Sequence, residues 1–306
     1  WFLWFMQNEN FFGDMVEGAA GLAIVIGILP AILLRERFKE VAVQELEAHE
    51  PHLRSRAEAI RTGVSEFFTG FANTLKVQPF RKLCLATFLV FNGFIMIAAF
   101  GFYVIIYYVF SGDTVTGAKF AGYAGSLGAV STFIVIIIVS WMATRIGKKR
   151  AFYVSTGLSM LGYALKWVCY NPEYPWLILV PAPLMAFGLG GLFTLMPSMI
   201  ADVVDLDEIS THERREGMFG SIFWWVVKLG QAVAIAAGGF MLNATGFDVA
   251  LEGNQTEHAI FMMRVFDAFV PFIASGIAIW AIATYSLTEE RAHEIRRELE
   301  ARRGKV

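Results

Sequence analysis

Seven stretches of this chain stay apolar for about the 20 residues that a helix needs to cross a bilayer. They cover residues 15–34, 83–110, 120–143, 151–170, 175–201, 217–242 and 261–287. Trp1 to Met6 reads as the tail of a further span, followed by a short polar turn from Asn8 to Asp14. A long polar stretch separates the first span from the other six. Within it Ile60, Val64, Phe67, Phe68, Phe71 and Leu75 recur at helical spacing, with Arg61, Glu66 and Lys76 on other faces. That pattern predicts an amphipathic helix, lying on the membrane or the end of the bundle or packed against the rest of the protein. The organisation expected is therefore the end of an N-terminal half with one span (1–34), a central loop (35–82), a six-helix bundle (83–287) and a tail (288–306). The tail alternates close charge pairs such as Glu294 and Arg297, which predicts a solvated helix.

Charge placement adds orientation. When the seven spans alternate, every Lys and Arg except Lys119, Lys166, Lys228 and Arg264 falls on one side, in the central loop, at 145–150, at 214–215 or in the tail. The positive-inside rule makes that side cytoplasmic, with the connections 111–119, 171–174 and 243–260 outside. Composition agrees with lipid as the solvent, since 56% of residues are hydrophobic and only 17% are charged. Cys84 and Cys169 sit in apolar stretches without metal-ligand spacing and read as buried free thiols. The opening Trp-Phe-Leu-Trp-Phe does not resemble a signal peptide and predicts an internal start, with part of the protein missing.

Candidate chemistry concentrates in one region. Lys228 lies eleven residues beyond Gly217, roughly 16 Å into the hydrocarbon. A charge at such depth costs roughly 2.5–3.5 kcal/mol and usually faces a polar cavity. It either marks a transport pathway or only holds two helices together. Trp224, four residues earlier, shares its face, and Gln231, three residues later, can add an amide. An indole beside hydrogen-bonding groups suits the apolar face of a sugar ring; plain lipid or helix contact explains it equally well. Trp225 points elsewhere and reads as packing. Asp202, Asp205, Asp207 and Glu208 crowd the end of one span, and Arg214, Arg215 and Glu216 begin the next. Acids opposite bases across a short loop can form an ion-pair gate, or a solvated loop whose pairs contribute little. Lys166 stands close enough to its span end to snorkel. Asp267 has Arg264 three residues away as a local partner. Pro181, Pro183 and Pro197 with Gly188, Gly190 and Gly191 read either as an interrupted helix near a binding site or as close packing. The sequence carries no nucleophile elbow, metal spacing or phosphate loop, so an enzyme or ATP motor is not expected.

Ala-Asp-Val-Val-Asp-Leu-Asp-Glu (201–208), Glu-Arg-Arg-Glu-Gly (213–217) and Val-Val-Lys-Leu-Gly-Gln-Ala (226–232) resemble the glycoside-pentoside-hexuronide:cation symporters, the melibiose permease group of the major facilitator superfamily. Trp141-Met-Ala-Thr-Arg-Ile-Gly-Lys-Lys-Arg150 resembles the major facilitator loop in its second-half position. The resemblance implies an all-α membrane protein, a major facilitator-type helix bundle, of which about seven transmembrane helices are present. It further implies sugar uptake coupled to Na⁺ or H⁺ by alternating access, with the protein a monomer when complete, in the inner or plasma membrane with its C-terminus cytoplasmic. The partners expected are a small sugar and the lipid bilayer, with no nucleic acid. Lys228 matches a functionally important lysine of the family, and Phe223, Trp224 and Val227 fall where that helix lines the sugar cavity. Thr144 stands where the loop often has aspartate, and Trp224 replaces a small polar residue. No cofactor is expected, and no metal ligand in this chain, because the family's acids for the coupling cation belong to first-half helices. Two alternatives stay open, a carrier of lipid or another amphiphile and a non-transporting sensor or scaffold.

Overall fold

The structure, a computed structural model, describes residues 68–251 and 253–303, all within one compact unit, Ser65–Val306. The expected span 15–34 and most of the central loop lie outside the described residues. Residues 68–76 are helical, and Phe71 and Leu75 pack against the bundle while Phe68 stays exposed. Phe71 meets Trp225 edge to face at 5.7 Å, so this part of the amphipathic stretch rests on protein.

Helix α1 (Gln78–Tyr103) opens with a proline in its first turn and runs on as a π-helical stretch, Val104–Val109. Asp113 caps α2 (Thr114–Ile146), its Oδ1 accepting from the Val115 and Thr116 amides at 3.1 and 3.0 Å. Gly147, at φ 86°, makes the sharp turn into α3 (Lys148–Cys169). A short 3₁₀ turn, Pro175–Leu179, leads into α4 (Pro181–Thr211), which His212 closes in the left-handed conformation at φ 60°. Then follow α5 (Glu216–Ala244), α6 (Glu257–Ala283) and α7 (Glu289–Arg303). No strand occurs among the described residues.

Five of these helical runs are long and apolar enough to cross a membrane, namely α1 with its π-helical extension, α2, α4 with its leading 3₁₀ turn, α5 and α6. The expected span 151–170 is present as α3 but is too polar for that set. Its Ser155, Thr156, Ser159 and Lys166 are buried in the bundle, so protein rather than lipid solvates them. The polar side chains meet glycines. A Cβ on Gly191 would come within 2.6 Å of Ser155 Oγ, and one on Gly188 within 2.9 Å of Ser159. The glycines of α4 thus serve close packing in one continuous helix, and Pro197 lies inside it without ending it.

The larger core joins Phe80, Phe152, Met196, Met199, Phe219 and Ile222, with Phe80 edge-on to Phe219 at 4.8 Å. A smaller one, around Phe100, Tyr170, Ile178 and Met263, fills the opposite end. The larger core also takes in the tail. Ile295 is fully buried and Leu299 nearly so, which docks one face of a helix that is otherwise exposed, where a helix solvated all round was expected. Spaced four apart, the two share one face of α7, and burying such side chains stabilises by about 1.5–3 kcal/mol each. On the far face of α2, Phe133, Ile137 and Trp141 stay exposed, as a lipid-facing surface requires.

Candidate functional site

Helix α5 presents two faces at mid-length. Phe223 and Val227 are buried in the core, whereas Trp224 and Lys228, one turn apart, are exposed and Gln231 is half-buried. The structure therefore brings Trp224, Lys228 and Gln231 onto one side of the helix and turns Phe223 and Val227 mostly the other way. Among the described residues Lys228 has no ion-pair or hydrogen-bond partner. Trp224 does have neighbours. Its indole stacks on Phe193 of α4 at 6.1 Å and 15° between planes, and Phe223 meets it edge-on at 5.6 Å. Phe193 in turn stands edge-on to Phe91 of α1 at 5.7 Å. Nothing in the spacing along α5 announced Phe193 or Phe91, because their contribution depends on how three helices meet.

Below the indole lies a cavity of about 280 Å³ bounded by Pro197, Val204, Gly220, Phe223 and Trp224, with Arg214 and Glu216 at its rim. Those two belong to the ion-pair corner. Arg215 binds Asp207 bidentately, Nε donating to Oδ2 at 2.9 Å and NH2 to Oδ1 at 2.6 Å. Arg214 reaches Glu216 at 2.8 Å, Glu208 at 3.3 Å and Asp205 at 3.7 Å. The hydrogen bond to Asp207, more than any other influence, pushes the Arg215 guanidinium above its already high proton affinity, so its charge is permanent.

Asp202 is drawn differently from its expected partners. It pairs with Lys148 at the start of α3 at 2.6 Å and with Arg296 of α7 at 3.5 Å, not with either arginine of the loop. Farther along α7, Arg302 approaches the ring of His212 at 3.1 Å. The Gly147 turn, the end of α4 and the tail are thereby tied together, and Lys149 adds bonds to the Ala283 and Tyr285 carbonyls, each at 3.0 Å. Sequence separation hid Lys148 and Arg296.

Toward the other end, Lys166 does not snorkel. Its Nζ donates to Asp267 Oδ1 at 2.5 Å, with both side chains almost wholly buried. The ammonium also sits 5.0 Å from the Tyr170 ring. Arg264, expected beside Asp267, goes instead between two aromatic faces, 4.0 Å from Tyr108 and 4.5 Å from Trp167, and donates to the Trp167 carbonyl at 2.9 Å. Stacking of this kind offers about 0.5–2 kcal/mol, and Lys166 already neutralises the carboxylate. Among the described residues no cluster of His, Cys, Asp and Glu could hold a metal ion.

A family model described as MFS/sugar transport protein matches residues 19–289. Among characterised and uncharacterised relatives, the chain is similar to a glucuronide carrier protein homolog of Escherichia coli (strain K12), 31% identical over 166 residues, which are 54% of this chain and 36% of that protein. An uncharacterized symporter of Synechocystis sp. is 31% identical over 184 residues, 58% of this chain and 33% of the relative. An isoprimeverose transporter of Lactiplantibacillus pentosus is 25% identical over 154 residues, 50% of this chain and 32% of the relative. The matched stretch spans about a third of the length of each of these relatives.

Proposed function

The chain belongs to the MFS/sugar transport protein family and is a multi-pass membrane protein; on that premise we propose that it comprises the end of the first half, the central loop and the second six-helix half of a secondary transporter that takes up a sugar together with Na⁺ or H⁺. The observation that carries this reading is Lys228, halfway along α5 on the same side as Trp224. Lys228 has no ion-pair or hydrogen-bond partner among the described residues, and at that depth a lysine is tolerated beside water, a polar ligand or an acid. Trp224 offers the ligand a flat apolar face, Lys228 and Gln231 offer donors, and Phe223 and Val227 hold the helix in register from behind. Glucosides, pentosides and hexuronides all present such a C–H face and a rim of hydroxyls or a carboxylate. The glucuronide carrier homolog and the isoprimeverose transporter among the relatives support a sugar as cargo.

The corner of Asp202, Asp205, Asp207, Glu208, Arg214, Arg215 and Glu216 is the cytoplasmic gate. It lies at the rim of the cavity beneath Trp224, and its bidentate pair is one that can be intact in one state and parted in another. The coupling cation binds mainly in the first half of the full-length protein, which also supplies the other wall of the sugar site. The test uses the full-length protein in vesicles, with uptake of a panel of labelled glycosides, pentoses and hexuronates under imposed Na⁺ or H⁺ gradients. Gradient-dependent accumulation of one sugar, abolished by Lys228→Ala, is the expected result. Absence of accumulation under either gradient, or uptake indifferent to that substitution, would overturn the reading. A carrier of amphiphiles is the second reading, favoured by a large apolar cavity farther along the bundle.

A further inference from the structure

At the end of the bundle away from the ion-pair corner, a pocket of about 360 Å³ opens between the π-helical end of α1, the first turns of α6 and the segment leading into α6. Two opposite charges line it. Glu257 stands in the first turn of α6, and Arg264 follows two turns later on the same face of the helix. A rise of 1.5 Å per residue separates them by roughly 10 Å along the axis. Among the described residues neither has an ion-pair partner, and they do not pair with each other. The nearest acid to Arg264 on its own helix, Asp267, is taken by Lys166.

Arg264 is held in place but not saturated. Its guanidinium lies between the rings of Tyr108 and Trp167, and one terminal nitrogen donates to the Trp167 carbonyl. The N–H groups of Nε and of the other terminal nitrogen have no acceptor among the described residues. A guanidinium held by its faces offers such groups along its edge, a fork that matches phosphate oxygens. The facing wall comes from the π-helical stretch, where the consecutive Tyr107 and Tyr108 both line the pocket; such stretches are rare and frequent at functional sites. Phe261 also lines the pocket and is 51% exposed. Trp167 stands edge-on to Phe261 at 5.9 Å and lies against the exposed Phe269 at 5.5 Å, so an aromatic strip runs from Arg264 toward the middle of the span. Tyr123, Tyr174 and Trp176 are exposed at the same end of the bundle, as in the aromatic belts that mark where a bilayer meets water.

We propose that this pocket binds a zwitterionic phospholipid of the surrounding bilayer, with the phosphate on Arg264, the ammonium on Glu257 and one acyl chain along Phe261, Trp167 and Phe269. An unpaired arginine alone would select an anionic headgroup, and an unpaired glutamate alone a cation. Both in one pocket select a ligand that carries both charges. The order of the charges agrees as well. In a phospholipid the phosphate lies on the side of the chains and the ammonium beyond it toward water, and Arg264 is the deeper of the two residues along α6. Long side chains reaching in from either end bridge the interval to the short link between phosphate and ammonium. The site is remote from Trp224 and stands apart from the sugar reading.

The experiment uses the full-length protein, stripped of lipid in detergent, and counts bound molecules by native mass spectrometry. The probes are phosphatidylethanolamine and phosphatidylglycerol with identical acyl chains, and water-soluble glycerophosphoethanolamine. The wild type should hold one phosphatidylethanolamine about fivefold more tightly than phosphatidylglycerol, the ratio that one exposed ion pair can supply. Glu257→Gln, at an exposed position, should erase or reverse that preference. Arg264→Gln should weaken both lipids by at least about tenfold, as the loss of charge-assisted hydrogen bonds implies. No preference in the wild type, or one that survives Glu257→Gln, overturns the proposal even if Arg264→Gln fails to fold. An Arg264→Gln protein with an unchanged thermal midpoint that binds both lipids as the wild type does overturns it too. If glycerophosphoethanolamine binds as tightly as the lipid, the aromatic strip holds no chain, and the pocket belongs to a soluble zwitterion rather than to the membrane.

Discussion

The buried pair of Lys166 and Asp267 is the sharpest test that single side chains offer. Removing one member leaves the other as an uncompensated charge in a nearly anhydrous place, at a cost of about 3–5 kcal/mol, whereas replacing both with apolar groups of similar volume is often neutral or stabilising. Lys166→Met or Asp267→Leu alone should lower the thermal midpoint of the full-length protein markedly, and the double substitution should restore most of it. Equal losses in all three would argue that the pair contributes nothing as a pair. A second test lies outside the membrane. Asp113 has its proton affinity lowered, first by the Thr116 hydroxyl and then by the amides of α2. A depressed folded-state value means that the cap's contribution is present above the unfolded carboxylate value, about 3.9, and disappears as the pH falls through the folded one. The midpoint difference between wild type and Asp113→Ala should therefore shrink on acidification, and a constant difference would sink the assignment. Lys228, Trp224 and the acidic corner were legible as residues because depth and helical spacing are properties of one segment. Lys166 and Asp267 were not, since they sit 101 positions apart on different helices. The local rule that placed Arg264 beside Asp267 failed because two aromatic faces from other elements compete for the guanidinium.

At the level of elements, apolar length located each of the six long helices that follow the central loop. It ended α4 at 201, however, ten residues short of Thr211, because the acids of its last turns are solvated by ion pairs rather than by lipid. Helix α3 owes its place to polar contacts with α4 as much as to lipid. The π-helical end of α1 had no sequence signature that we could read. Nor did the outline of α7 prepare for its docking. Its charges dominate the composition, yet Ile295 and Leu299 stand four apart and are the residues that disappear into the core. Truncating Ile295 to alanine should cost about 2–5 kcal/mol locally and release the helix. Limited trypsinolysis reads this directly, with cleavage after Arg296, Arg297 and Arg302 accelerated in Ile295→Ala, and an unchanged pattern would show that the helix is held by its ion pairs alone. Gly147 belongs to the same joint, for at its φ of 86° a side chain is strained, and a Cβ would collide with the Glu289 carboxylate.

For the molecule as a whole, the sequence made the all-helical, membrane-spanning character visible and left the contacts between helices undrawn, because these are a property of packing. Arg215 is the place to ask how the corner governs access. Asp207 is only 5% exposed, so Arg215→Ala leaves a poorly solvated carboxylate and favours states in which that end of the bundle opens. Gly220→Cys, placed in the pocket beneath Trp224 where a side chain meets nothing within 4 Å, provides the readout in a background free of Cys84 and Cys169. Maleimide labelling should accelerate by about 5- to 30-fold, the ratio that 1–2 kcal/mol produces, and an unaltered rate would show that the corner does not control entry. The seam between α3 and α4 has the opposite character. Where Gly162 would drive a Cβ to 2.9 Å from the Met185 amide and Gly191 one to 2.6 Å from Ser155, neither helix can slide along or turn against the other. A library of random substitutions should therefore accumulate changes freely on the outer face of α2 and almost none along this seam. New cargo preferences would have to arise on surfaces that the two interlocked helices carry as a single piece.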